Sequence, residues 1–114
     1  MTEPIFHITT REAWFTAQST GTFQADTLAS QGFIHCSTHK QVIVTANTWF
    51  RARTGLVLLE IDPSRLQSEL RWEAGTDKPE ESFPHIHGPL NLEAVCRVHD
   101  FPPDPDGLFI FPLP

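Results

Sequence analysis

Tyrosine is absent from this chain and cysteine nearly so. The two thiols, Cys36 and Cys96, are too few for a disulfide framework and fit a chain kept reduced in the cytoplasm. Basic residues are also scarce, since eight against fourteen acidic ones leave a net charge of −6. That balance argues against a protein that follows nucleic-acid phosphates with a basic stripe, and against one that adheres to an anionic membrane. No apolar run approaches the roughly 20 residues needed to cross a bilayer, and the N-terminus lacks a basic-then-apolar signal pattern. Glycine-rich phosphate loops, the G-x-S-x-G elbow and the dinucleotide fingerprint are missing too. Their absence removes the common triphosphatase, hydrolase and Rossmann readings.

What is present is histidine and proline. There are six histidines, and five of the ten prolines fall between Pro102 and Pro114. With 114 residues, 39% of them apolar, the chain is expected to form a single domain, 1–114, around a modest core.

The pattern predicts a first strand at Ile5-Phe6-His7-Ile8. Thr9 with Glu12 has capping-box spacing and opens a helix that buries Trp14 and Ala17 and ends before Gly21. A short helix over 26–31 stops at Gly32, and Phe33-Ile34-His35-Cys36 follows as a strand. Thr38 with Gln41 repeats the capping box. It opens a helix to about Arg53 that turns Val42, Ala46, Trp49 and Phe50 inward, and Gly55 closes it. Leu56–Ile61, nearly all apolar, suits a central strand covered on both faces. Asp62-Pro63 starts one short turn. Leu70, Trp72 and Ala74 alternate with Arg71 and Glu73, giving a strand with one polar face. Residues 75–83 read as a charged loop, 94–101 as a strand, and 107–111 as a short buried strand in the proline-rich tail. The sum is an α+β fold of about six strands and two or three helices.

Chemistry is concentrated in three histidine-bearing segments: Phe6-His7-Ile8, Gly32-Phe33-Ile34-His35-Cys36-Ser37 and Phe83-Pro84-His85-Ile86-His87-Gly88-Pro89-Leu90. In an extended segment His85 and His87 point to the same side. Imidazole exchanges protons near neutral pH and hydrogen-bonds sugar hydroxyls, although a half-buried histidine is often just a satisfied structural group. His39 and His99 read as structural or solvated. Metal binding through His35, Cys36, His39, His85 and His87 is a further reading, but neither C-x-x-C nor His-Glu-x-x-His spacing supports it. Cys36, pointing opposite to His35 and Ser37, reads as a core residue and not a nucleophile. Glu73 and Glu93 are the carboxylates placed to support an imidazole or a developing positive charge.

The three segments, with Leu70-Arg71-Trp72-Glu73, Ala94-Val95, Pro105-Asp106-Gly107 and Phe111-Pro112 in this order, resemble the small bacterial proteins known as domain of unknown function 952. That family is grouped with the ADP-ribosyltransferase-like fold, so the resemblance implies a split β-sheet with a nucleotide cleft and NAD as substrate. It implies His7 on the nicotinamide ribose, and His35 and Ser37 orienting the nicotinamide. Glu73, Glu93 or His87, the last standing where a tyrosine is usual, would complete the site. The residues expected to act are therefore His35, Ser37, Glu73 and His87, with His7, Trp72 and His85 holding the nucleotide and no metal involved. A nucleic-acid acceptor is disfavoured by the acidic charge. The competing readings are a non-catalytic module on the same fold, binding a small ligand or a partner, and a histidine-based metal-binding domain.

Overall fold

A run as apolar as Leu56–Ile61 has no face it can leave in water, and the molecule is organised around it. The computed structural model describes residues 3–75 and 78–112. In chain order the strands and helices are β1 (Ile5–Thr10), α1 (Arg11–Thr20), β2 (Thr22–Phe23), α2 (Asp26–Gln31), β3 (Ile34–His35) and α3 (His39–Trp49). Then follow β4 (Leu56–Ile61), β5 (Glu69–Ala74), β6 (Ser82–His87), β7 (Leu90–Asn91) and β8 (Val95–Asp100). The α+β class stands, with eight strands in three small antiparallel sheets and three helices among the described residues.

The first sheet has the order β1-β4-β8, the second is β2-β7, and the third is β3-β6-β5. β4 is the middle strand of the first, and its side chains alternate between two cores. Val57, Leu59 and Ile61 join Ile5, Ala17, Phe23, Ile34 and Ile86 on one side. Leu56 and Leu58 join Phe6, Val42, Ala46, Phe101 and Phe109 on the other. Burying each such side chain contributes roughly 1.5–3 kcal/mol, so this strand anchors both layers. The radius of gyration, 13.3 Å, is that of one domain of this length.

Beyond the strand count, eight and not about six, and the start of β6 at Ser82 inside the expected loop 75–83, three sequence expectations need correction. The cap of α1 is Thr10, whose hydroxyl accepts from the Ala13 backbone N–H, because Thr10 is itself still extended in the β1 ladder opposite Leu56 and the helix can begin only at Arg11. α3 stops at Trp49, four residues early, and Trp49 is 59% exposed, since the inward stripe is Val42 and Ala46 with Phe50 beside them. Residues 107–111 form no strand. Phe109 is nevertheless buried, because the Asn47 carboxamide accepts from its N–H at 2.7 Å and donates to its carbonyl at 3.5 Å, taking the place of a neighbouring strand.

The capping box at the start of α3 is complete. Thr38 Oγ1 accepts from the Gln41 N–H, and Gln41 Oε1 accepts from the Thr38 N–H. Thr38→Ala is expected to cost about 1 kcal/mol, read as a lower urea midpoint at unchanged slope. An unchanged midpoint would mean that the cap adds nothing net.

Candidate functional site

The site arises where two sheets touch once and then part. Phe6 and Ser37 exchange a pair of backbone hydrogen bonds, each 2.8 Å, in an isolated bridge between β1 and the segment after β3. No ladder continues from it. His7–Thr10 runs on along β4, while His35 turns toward β6, where it pairs with His85. The gap between them is a cleft of about 630 Å³, walled by β1, 35–37, one face of α3, and the 23–31 segment. That volume is ordinary for a small-molecule site.

Three imidazoles line the cleft. His7 Nδ1 lies 2.5 Å from the His35 carbonyl, to which only an N–H can donate, so its Nε2 is left as an acceptor. Burial drives the His7 pKa down to about 4, against the opposing pull of that carbonyl, and the ring is neutral at pH 7. His35 is also shifted down, first by burial and then by the neighbouring His85. Its Nε2 lies 2.7 Å from Gln31 Oε1, at the end of α2 four residues upstream. The His85 ring is buried, 3% exposed. Phe33 stacks on it at 4.1 Å and 15°, and the His35 ring meets it edge-on at 5.2 Å.

Behind His85 stands a carboxylate. Alternation along β5 and β6 puts Glu73, His85 and His87 on one face, away from Ile86 and Leu70. Both imidazoles reach the same oxygen of Glu73: His85 Nδ1 at 2.9 Å and His87 Nε2 at 2.8 Å. Those two hydrogen bonds, that from His87 the stronger, hold the Glu73 carboxyl below the usual carboxylate range. With its Nδ1–H donated to Glu73, His85, a residue of the cleft wall, is left with Nε2 as its acceptor. Glu73 and His87 do not themselves line the cleft. Their arrangement suits them to position His85.

Ser37 is buried on the cleft wall, its hydroxyl 3.5 Å from that of Thr45 on α3. Trp72 is on the other face of β5 from Glu73, 54% exposed, and takes no part in the cleft. Glu93 sits exposed in a turn, receiving a long hydrogen bond from Asn91, also outside it. Cys36 points into the core beside Ile34, and burial pushes its thiol far above the normal range, which leaves no nucleophile there. His39 packs against Phe6 and Phe111, and His99 bonds Glu60. Among the described residues no grouping of three or more His, Cys, Asp or Glu is placed to hold a metal ion.

Sequence reasoning missed the cations. Lys40, Arg53 and Lys78, three of the eight basic residues, converge on the cleft. Glu81 is the one acidic side chain on its wall among the described residues, and its carboxylate is engaged by Gln41 Nε2 at 2.9 Å. None of the three cations is ion-paired with a described residue. An acidic chain thus keeps a locally positive cavity, and only the fold shows it, because the three lie far apart in sequence.

An α+β protein with a histidine-lined, cationic cleft at a sheet junction is the class that the fold and site define. Residues 8–98 match the family model described as "Protein of unknown function (DUF952)", and the chain belongs to that family. It is similar to protein CC0527 of Caulobacter crescentus. The crystal structure of that protein is 35% identical with a TM-score of 0.84, covering 94% of this chain and 93% of the other. Its solution NMR structure is 36% identical with a TM-score of 0.80, covering 92% and 90%. No curated protein matches the chain.

Proposed function

We propose that this chain binds NAD, or a nucleotide built like it, in the cleft, and transfers the ADP-ribosyl group to water or to another acceptor. The observation that carries the reading is the convergence of neutral imidazole acceptors and unpaired cations on one cavity. His7 and His35 offer ring nitrogens to ribose hydroxyls, and Lys40, Arg53 and Lys78 offer charge to a diphosphate. The grouping of the resembled family with the ADP-ribosyltransferase-like fold points to the same ligand. Bound NAD supplies a scissile bond between nicotinamide and ribose, whose breakage places positive charge on the sugar and whose electron pair leaves with nicotinamide.

This chain's residues then have three tasks. The buried walls around Ser37 and Phe23 exclude water from one side. His7 and His35 fix the sugar. His85, with Glu73 behind it, accepts the proton of the attacking water or acceptor hydroxyl at Nε2. Because the cations are gathered inside a cleft and not along a stripe, the partner is a small nucleotide and not a nucleic acid. The two free thiols suit a cytoplasmic setting.

The test is an NMR titration of labelled protein with NAD, ADP-ribose and nicotinamide. Saturable shifts are expected at His35, Ser37 and the His85–Leu90 segment, followed by nicotinamide release in an assay. No shift at millimolar ligand would sink the nucleotide reading. Saturable binding without any nicotinamide release would leave a binding module on the same fold.

A further inference from the structure

The wall of the cleft formed by α3 is not uniform. Gln41, at its N-terminal end, donates to Glu81 and to the Ser82 carbonyl at the start of β6, so that end abuts the segment leading to His85. About one turn and two turns further on, Val44 and Trp49 present apolar surface to the cleft, 48% and 59% exposed. The span from Lys40 to Trp49 is about 14 Å of helix. Apolar surface left open in a concavity calls for an occupant. The Thr48 hydroxyl is already committed to the Val44 carbonyl at 2.8 Å, and Arg53 stands over the Phe50 ring at 5.2 Å, leaving its charge at the cleft.

We infer that Trp49 is the platform on which the purine ring of the nucleotide stacks, with Val44 beside it and Arg53 facing the adjoining phosphate. The ligand then lies along α3, its base at the helix's C-terminal end and its reactive ribose at the imidazoles. This inference rests on the nucleotide reading above and adds to it an orientation and a preference for a ligand with a flat aromatic base.

The experiment is calorimetric titration of wild type, Trp49→Ala and Trp49→Phe with ADP-ribose and with nicotinamide mononucleotide, which lacks the adenosine. Trp49→Ala is expected to weaken ADP-ribose about fivefold or more, the effect of losing one stacked base, and to leave nicotinamide mononucleotide unchanged. Trp49→Phe, which keeps a ring, should recover most of the loss. As Trp49 is exposed, both variants should keep the wild-type circular dichroism. Wild-type affinity of Trp49→Ala for ADP-ribose would overturn the inference and leave the nucleotide reading standing. Equal weakening of both ligands would overturn it too, since the indole would not discriminate the base. Failure of the wild type to bind either ligand would overturn both readings.

Discussion

Acidified from pH 7 to pH 4, the folded protein is expected to lose about 3 kcal/mol of stability through His7 alone. The unfolded chain protonates this imidazole near its ordinary 6.5, whereas burial delays protonation in the folded state to about 4. Between those values the unfolded state holds more protons, so stability is full above about 6.5 and falls as pH drops toward 4. His35 acts in the same direction, being shifted down by burial and by His85. Glu73 works in a lower window. Its folded carboxyl lies below the ordinary value, so its contribution is present above that value and is lost only on further acidification. For a domain whose whole stability is on the order of 5–15 kcal/mol, the His7 effect is large. Urea denaturation at a series of pH values measures it. His7→Asn keeps an N–H to donate to the His35 carbonyl and has no proton to take up, and should flatten the curve between pH 6.5 and 4. An equally steep curve in that variant would move the acid sensitivity to another group.

On the proposed reaction, truncation of His35 is expected to reduce nicotinamide release about 100-fold while leaving the fold in place. The magnitude is that of removing one preorganised polar contact from an enzyme site. His35 is the better target than His85 on structural grounds. Its ring is half-buried and, among the described residues, hydrogen-bonds Gln31 alone, and the group that orients His7 is its backbone carbonyl, which alanine retains. The His85 ring is enclosed by Phe33, His35 and Glu73, so its removal opens a cavity as well as a site. His35→Ala should therefore melt within a few degrees of wild type. Near-wild-type release from such a folded variant would remove His35 from the chemistry.

How far the sequence could be read depends on whether the relevant signal was local. The capping box at Thr38 and Gln41, the two-faced burial of Leu56–Ile61 and the shared face of His85 and His87 all follow from short-range spacing, and the structure has each of them. Thr9 and Thr10 are adjacent and both can cap. What selects Thr10 is the pairing of β1 with β4, nearly fifty residues away. The two-residue strands β2 and β7 carry no periodicity of their own and exist because they meet each other. Trp49 was misplaced because an indole facing a cleft and an indole facing a core have the same signature in a helical pattern. The convergence of Lys40, Arg53 and Lys78 was hidden for a related reason, since net charge is an average and a cavity is not.

The bridge between Phe6 and Ser37 and the pairing of His35 with His85 also bear on synthesis. The first joins segments about thirty residues apart, and the second waits for residues fifty further along. A nascent chain that has left the ribosome as far as α3 holds His7, His35 and Ser37 but has neither the strand that seats His35 nor the one that covers both cores. The cleft is thus a product of the second half of translation. Any ligand it holds selects finished molecules over growing ones, and adds its binding energy to the completed fold alone.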